Sequence, residues 1–290
     1  MNVGFISTRL AGTDGVSLET AKWAAVLRRL GHQVFYCAGE LEASGVPGQC
    51  IPEMHFRHPQ AVALGRRAFG RSEPDLALLK DIARLAQSLR AGLRQFVRYF
   101  GIELLIVENA QAIPLHLPLG QALAELIAET DLPTIAHHHD FYWERERFRV
   151  NCLPEFLDSY FPFDAPNVRH VVINSLAQWE LKARRGIDSV VVPNVLDFAV
   201  PPPGVDDFNA DFRQAIGLAP PDLLFLQPTR VVPRKGIELA IELVSRIQEA
   251  RGNRGQGAGC KLVITHEAVS YTHLRAHETR HDLVCRLLLE

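Results

Sequence analysis

The sequence has few cysteines and no closely spaced cysteine pair. Its 290 residues include five cysteines, an odd number, and none of them lies in a Cys-x-x-Cys motif. The cysteines are Cys37, Cys50, Cys152, Cys260 and Cys285. This scattered pattern predicts reduced thiols and therefore a cytoplasmic protein.

An excess of one charge and long apolar runs are also missing. The 31 basic and 33 acidic residues give a net charge of −2, which provides no global attraction for nucleic acid or another polyanion. The apolar runs are strand-sized, and the start of the chain, Met1 to Ile6, is neither basic nor a long apolar stretch. The sequence therefore predicts no nucleic-acid partner, no signal peptide and no transmembrane helix.

The common phosphate-binding fingerprints are absent as well. Neither G-x-G-x-x-G nor Gly-Lys-Ser/Thr occurs, which excludes the dinucleotide fingerprint and the P-loop. A looser segment, Gly12-Thr-Asp-Gly15, follows the first predicted strand and precedes a helix that we expect Ser17 to cap. Glycines and a helix N-terminus suit a phosphate, so this loop either contacts a ligand or is a tight turn that serves packing.

What the sequence does contain is a regular alternation of strand and helix patterns. The apolar segments 2–7 and 33–38 enclose a helix that ends at Gly31, which is a βαβ unit. Further strands are predicted at 103–107, 133–136, 168–173 and 189–192, and helices at 72–100, 117–129 and 175–185. Residues 40–72 indicate no element. The alternation predicts an α/β doubly wound, Rossmann-like domain.

A proline triplet among acidic residues, within 198–207, interrupts the alternation and predicts a domain junction. We therefore expect an N-terminal domain over 1–197, a linker over 198–221 and the start of a second Rossmann-like domain over 222–268. Its elements are strands at 223–227 and 261–264 around a helix at 237–250. A segment this short cannot bury a core of its own, so the second domain is expected to be incomplete.

The last segment, 269–290, has two interpretations. His273, His277 and His281 recur at i, i+4 and i+8 with Glu278 beside them, a spacing that would place zinc ligands on one helix face. The segment also closely resembles the translated read-through of a sequencing-library adapter, which we favour. We therefore expect it to be a non-native tail and the natural protein to continue past Ala268.

A second motif, His137-His-His-Asp-Phe-Tyr-Trp143, follows the strand predicted at 133–136. Alternate residues of an extended chain face the same way, so His137 and His139 should converge while His138 turns away. This is a poor zinc cage but a suitable patch for sugar hydroxyls, with Tyr142 and Trp143 offering flat faces to a sugar ring. The alternative is a capped loop whose aromatic rings pack in the core.

Two clusters of basic residues are candidate anion-binding sites. Arg230, Arg234 and Lys235 precede a predicted helix, where they could neutralise a diphosphate. A solvated basic loop is the alternative. Several other arginines, on or just before the helix of residues 72–100, could form a basic ridge for an anionic acceptor or a peripheral membrane contact, the alternative being a plain solvated helix face. They are Arg66, Arg67, Arg71, Arg90, Arg94 and Arg98.

Two spaced motifs carry a family resemblance. Pro193-Asn194-Val-Leu-Asp197 near the predicted junction, followed by Thr229-Arg230 and Arg234-Lys235-Gly236, resembles the family-four glycosyltransferases of GT-B fold. That family implies two Rossmann-like domains, the first holding a sugar, small-molecule or lipid-linked acceptor and the second a nucleotide-sugar donor. A Glu-x₇-Glu donor segment typical of the family is absent from this sequence.

The resemblance also implies roles for individual residues. Arg230 and Lys235 match cations that bind the donor diphosphate, and Gly15 lies in the loop that approaches the donor. His139 and Asp140 fall where such enzymes place a catalytic histidine beside the transferred sugar, and His137, Tyr142 and Trp143 are the candidate acceptor contacts. Transfer would proceed with retention through an oxocarbenium-like state, without a cofactor or an obligatory metal.

Two other functions stay open at this stage. A nucleotide-sugar epimerase of the same architecture would need paired acid/base carboxylates, of which the sequence shows no clear case. A non-catalytic module that binds a sugar or a nucleotide is the second alternative.

Overall fold

The computed structural model describes residues 1–43, 45–73, 75–196, 198–202, 204–229, 231–232, 235–252 and 259–265. The chain divides into two compact units, Met1–Leu196 and a second unit that begins at Asp197. Each unit is described by itself.

The first unit is built on a seven-stranded sheet in which every neighbouring pair is parallel. In chain order the strands are β1 (Asn2–Ile6), β2 (Gln33–Ala38), β3 (Gly48–Cys50), β4 (Leu104–Glu108), β5 (Thr134–His138), β6 (Val168–Val172) and β7 (Ser189–Val191). Their spatial order is β3-β2-β1-β4-β5-β6-β7, so the order reverses between β1 and β4. The predicted doubly wound α/β, Rossmann-like class is confirmed.

Helices connect these strands. They are α1 (Gly15–Arg29), α2 (Pro59–Ala68), α3 (Leu76–Tyr99), α4 (Leu117–Thr130), α5 (Pro154–Tyr160) and α6 (Ser175–Arg185). None of the described helices is long and apolar enough to cross a lipid bilayer.

Two helix starts differ from the sequence prediction. Asp14, and not Ser17, caps α1, because its carboxylate accepts the N–H groups of Val16 and Ser17. The helix predicted to begin at residue 72 begins at Leu76, and Asp75 is its cap, accepting the N–H of Leu78 at 2.9 Å. In both places a carboxylate that lies nearer the helix satisfies N–H groups of the first turn.

The segment without a predicted element, 40–72, contains β3 and α2. β3 has three residues, which is too short for an alternating pattern to be visible. α2 buries only three side chains, Ala61, Leu64 and Ala68, and two of them are alanines. Its sequence therefore shows only a weak helical pattern of apolar residues. These two elements depend on packing against their neighbours and not on their own pattern.

Alternating residues of the central strands bury side chains in two layers. On one face, Ile6 and Leu105 pack with Leu93 and Phe96 of α3 and with α4. On the opposite face, Phe5 packs in a cluster with Ile106, Tyr36 and Ala24 of α1. A sheet that is covered on both faces leaves the strand ends as its open edge, and the carboxyl ends are where such sheets bind ligands.

The predicted basic ridge is partly neutralised. Arg90 and Arg94 of α3 pair with Glu125 and Glu129 of α4, the Arg90 contact being 2.9 Å, and Arg67 pairs with Asp75 and Asp81. These contacts join helices within the unit. The membrane contact remains a prediction.

In the second unit, the parallel strands β8 (Leu223–Gln227) and β9 (Cys260–Ile264) are connected through the helix α8 (Ile237–Gly252), and the short helix α7 (Phe212–Ala215) precedes β8. Its core cluster contains Ile216, Leu218 and Val263. Leu226, Leu239 and Leu243 are exposed. The histidines His273, His277 and His281 of the predicted tail lie outside the described residues.

The N-cap of α4 is a buried histidine, and it predicts an acid sensitivity of the first unit. The His116 Nδ1 atom accepts the N–H of Leu119 at 3.1 Å, and Nε2 lies 2.8 Å from the Glu53 carbonyl oxygen. Burial lowers the pKa of His116 to about 4, although the bond to Glu53 acts in the opposite direction. Below about pH 6.5, the unfolded chain therefore binds a proton here before the folded chain does.

We expect stability to fall from this group alone by about 3 kcal/mol as the pH drops from about 6.5 to about 4. His116→Asn keeps a capping acceptor but does not titrate. In urea titrations followed by tryptophan fluorescence, the stability of His116→Asn relative to wild type should rise by about that amount between pH 7 and pH 4. Parallel pH curves for the two proteins would contradict the assignment.

Candidate active site

The candidate site lies where β1, β4 and β5 end, at the point where the strand order reverses. Glu108 is the last residue of β4 and is in register with His137 of β5. The hydroxyl of Ser7, just past β1, donates to the Glu108 carbonyl oxygen at 3.0 Å. Parallel strands bring their carboxyl ends to one edge, which is why residues far apart in sequence meet here.

A buried carboxylate joins two of the three histidines. The Glu108 Oε2 atom lies 2.9 Å from Nδ1 of His137 and 3.6 Å from Nε2 of His139. The His137 and His139 rings have centroids 4.7 Å apart. The two side chains therefore converge, as the alternation predicts.

Burial and hydrogen bonding act in opposite directions on Glu108. Burial by itself raises the pKa of this carboxyl. The contacts with His137 and His139 together lower the pKa by more than burial raises it, so that it lies below its ordinary value. The group is therefore ionised at neutral pH. Its second oxygen, Oε1, and the Nε2 atoms of His137 and His139 have no hydrogen-bond partner among the described residues. Unsatisfied buried polar atoms are rare and often mark a functional site.

His138 turns to the opposite side, as expected. Its Nε2 lies 3.0 Å from Nδ1 of His170, and His170 Nε2 lies 3.2 Å from Asp164. Burial lowers the pKa of His138 well below its usual value, and neighbouring histidines add to this. His138 is therefore neutral and belongs to the interior.

The loop that carries His139 is held by polar contacts. Asn109, with φ of 56°, accepts the His139 N–H at 2.9 Å and donates to Asp140 at 3.2 Å. The Asp140 carboxylate also forms an ion pair with Arg145. Asparagine tolerates this left-handed backbone conformation better than most residues. The side chain of His139 is 11% exposed, which makes it the accessible member of the triad with Glu108 and His137.

Three residues at this site were missed in the sequence. Glu108 completes the triad, and the Trp23 ring of α1 stacks on His137 with centroids 4.5 Å apart. Asn194, within the Pro-Asn motif, has its amide nitrogen 3.5 Å from Nδ1 of His139. A charge that directly follows the apolar run 104–107 was the available signal for Glu108. Nothing in the sequence paired Trp23 with His137.

The predicted acceptor residues lie in different environments. His137 is fully buried behind His139. Trp143 stacks on Phe141 at 4.4 Å, donates through Nε1 to Glu180 at 2.7 Å and has the Arg184 guanidinium 5.6 Å from its ring centroid. These are the contacts that the core-packing alternative expects.

Tyr142 packs beside the buried cluster formed around α5, and burial raises its pKa. Like Trp143, Tyr142 packs against other side chains of the protein. The acceptor role of both rings remains a prediction.

The predicted donor residues are only partly described. Gly15 is the first residue of α1, and no atom lies within 4 Å of the position that a Cβ would take. The open space is at Gly15 itself, because the Asp14 carboxylate already accepts the N–H groups of Val16 and Ser17. Lys235 is half-buried just before α8, and its carbonyl oxygen accepts from Gln227 Nε2 at 3.1 Å. Arg230 and Arg234 lie outside the described residues.

A metal ion could be held by one group among the described residues. Glu108, His137 and His139 each offer one ligand atom, and these atoms lie within 4.8 Å of one another. Two imidazoles and one carboxylate suit a divalent transition metal.

No known family model matches the sequence. The chain is 33% identical over 254 residues to a mannosylglucosylglycerate synthase of Petrotoga mobilis and 38% identical over 259 residues to one of Thermotoga maritima. Each match covers 86% of this chain and 57% of the relative, so the chain spans little more than half the length of these curated relatives.

Solved structures share the fold at low identity. Sucrose-phosphate synthase of Thermosynechococcus elongatus has a TM-score of 0.61 at 12% identity, covering 92% of this chain and 63% of that one. WaaG, a glycosyltransferase of lipopolysaccharide biosynthesis, has a TM-score of 0.56 at 12% identity, covering 91% and 64%. The chain is therefore similar in sequence to the two synthases, and it shares its fold with these solved structures of GT-B type.

Proposed function

We propose that the protein transfers a sugar from a nucleotide-sugar donor to a hydroxyl of an acceptor, with retention at the anomeric carbon. The observation that carries the proposal is the His139 side chain, accessible at the carboxyl end of β5 and backed by the buried Glu108 carboxylate. This edge, where the strand order reverses, is the usual ligand-binding position of such sheets. The similarity to two synthases that are named for a glycoside product supports the same function.

The names of these relatives also support a narrower proposal about the substrates. Both are called mannosylglucosylglycerate synthase. We therefore propose a mannosyl unit as the transferred group and glucosylglycerate as the acceptor.

In this reaction the bond from the anomeric carbon to the diphosphate oxygen breaks, and its electron pair leaves with the diphosphate. The acceptor oxygen forms the new bond on the same face, and its proton passes to the leaving phosphate oxygen. Arg230 and Lys235 are proposed to neutralise the charge that develops on the diphosphate, a form of electrostatic stabilisation that is often the largest catalytic contribution. No cofactor or obligatory metal enters this scheme.

The residues of the described site have distinct roles in the proposal. His139 contacts a hydroxyl of the transferred sugar, and Asp140, tied to Asn109 and Arg145, holds the loop of His139 in place. His137 acts through Glu108 because it has no exposed surface. Gly15 leaves room for the donor at the start of α1.

The test is product analysis with the intact protein, GDP-mannose and glucosylglycerate, and proton NMR of the new anomeric centre. We expect an α-linked mannoside, which retains the configuration of the donor, and no product when the acceptor is left out. Conversion of the donor sugar to an epimer without acceptor would favour the epimerase alternative. Donor binding without any turnover would favour the binding module.

Lys235→Ala should lower kcat strongly, by about 10²-fold, because an electrostatic contact to the leaving group is lost. Stability should change little, since a half-exposed loop cation contributes little to folding. Lys182→Ala is the matched control, since Lys182 is an exposed lysine of α6 that pairs with Asp188. Equal kinetics for the two variants would remove Lys235 from the mechanism.

A further inference from the structure

We propose that Glu108, His137 and His139 bind a divalent transition-metal ion, best matched by Zn²⁺, and that the occupied site inhibits transfer. Two imidazoles and a carboxylate are a frequent zinc ligand set, and three protein ligands leave a fourth position for water. The inhibition rests on the proposed function, whereas the binding does not.

The geometry is close to what a shared ion requires. Two ligands that each lie about 2.1 Å from a zinc ion at tetrahedral or smaller angles are themselves roughly 3 to 3.5 Å apart. The separations of 2.9 Å from Glu108 to His137 and 3.6 Å from Glu108 to His139 lie near this range. The three ligand atoms lie within 4.8 Å of one another, so side-chain movements have to bring them to a shared ion.

The protons can be accommodated without adding charge. When a metal takes Nδ1 of His137, the proton on that nitrogen can move to Nε2, which has no hydrogen-bond partner among the described residues. The ion replaces a hydrogen bond, and one carboxylate offsets part of its charge.

Neighbouring groups position the three residues. The His137 ring stacks on Trp23, the backbone N–H of His139 donates to Asn109, and the backbone carbonyl oxygen of Glu108 accepts from Ser7. A metal ion would reach the site past His139, the one ligand of the three with solvent-exposed surface.

Occupation would alter the group that the proposed reaction uses. A zinc ion bound to the buried Nε2 of His139 places positive charge directly beside the imidazole that is proposed to contact the transferred sugar. Zn²⁺ should therefore act as a reversible inhibitor, and a chelator should restore the rate.

The test is calorimetric titration of the intact protein with Zn²⁺ in the absence of substrates. All proteins carry Gln in place of His273, His277 and His281, because that spacing could bind zinc independently. We expect one equivalent with a Kd in the micromolar range or below, and at least a 30-fold weaker Kd in His139→Gln and in Glu108→Gln. His58→Gln, a partly exposed histidine outside the triad, is the control and should bind as wild type does.

If Glu108→Gln does not fold, the zinc affinity of His139→Gln alone tests the metal site, because this partly exposed side chain can be replaced with less effect on folding. Tryptophan fluorescence gives a second readout, since the three tryptophans, Trp23, Trp143 and Trp179, all lie in the first unit. Bound zinc should raise the thermal midpoint of this unit in wild type and not in His139→Gln.

Equal zinc affinity in wild type and His139→Gln would overturn the metal site. A protein that binds zinc at the triad but transfers no sugar would overturn the proposed function and leave the metal site in place. An enzyme that transfers sugar but binds no zinc would overturn the metal site and leave the proposed function in place.

Discussion

Replacing Glu108 with glutamine should lower the rate of sugar transfer by about 10²-fold, the loss typical when reacting groups are misplaced by about 1 Å. The carboxylate accepts from His137 and lies 3.6 Å from His139, so its charge orients both rings. Glutamine keeps the size of the side chain but turns an N–H₂ group toward one of the imidazoles. His139 then no longer has a fixed orientation toward the sugar.

The measurement separates a positioning role from a general loss of fold. We expect kcat to fall while the KM for the donor changes by less than about threefold, because the diphosphate is proposed to be bound by Arg230 and Lys235 and not by Glu108. Stability should fall by about 1–3 kcal/mol, since a buried hydrogen-bonded charge is removed. Circular dichroism and tryptophan fluorescence report whether the variant is folded under assay conditions.

Glu125→Gln provides the matched control. This carboxylate lies on α4, and its partner is Arg90 of α3, away from the strand ends. Its removal should leave transfer within about twofold of wild type, because a half-exposed ion pair contributes little. If Glu108→Gln were as active as Glu125→Gln, the triad would have no part in catalysis.

The largest effect on stability is expected at Gly120 of α4. A Cβ at this position would lie 2.2 Å from Cζ of Phe161, whose ring is fully buried. The ring cannot move aside, since Leu117, Phe156 and Leu157 belong to the same core cluster. Gly120→Ala should therefore destabilise the protein by about 3 kcal/mol, the upper range for overpacking, and lower the midpoint of thermal unfolding by about 5 to 10 °C.

Gly65→Ala is the control for the substitution itself. Gly65 lies within α2, and no atom lies within 4 Å of its Cβ position. Alanine there should raise stability by up to about 1 kcal/mol through helix propensity. Thermal unfolding followed by tryptophan fluorescence reports the first unit, and a Gly120→Ala midpoint at or above that of wild type would show that Phe161 does not pack as described.

The sequence by itself determined the α/β class and most strand and helix positions of the first unit, because long apolar segments repeat with clear strand and helix periods. It also predicted that His137 and His139 share one side of β5, since side chains alternate along an extended chain. The sequence did not predict β3 or α2, because their apolar patterns are too short to be recognised without the neighbouring elements against which they pack.

Only the tertiary structure decided what the histidines meet. Glu108 is 29 residues from His137 in the chain, and strand register alone places its carboxylate 2.9 Å from the His137 ring. Trp23 reaches the same ring from α1, and Asn194 reaches His139 from beyond β7. Periodicity within a segment determines which way a side chain points, whereas the pairing of distant strands determines what it touches.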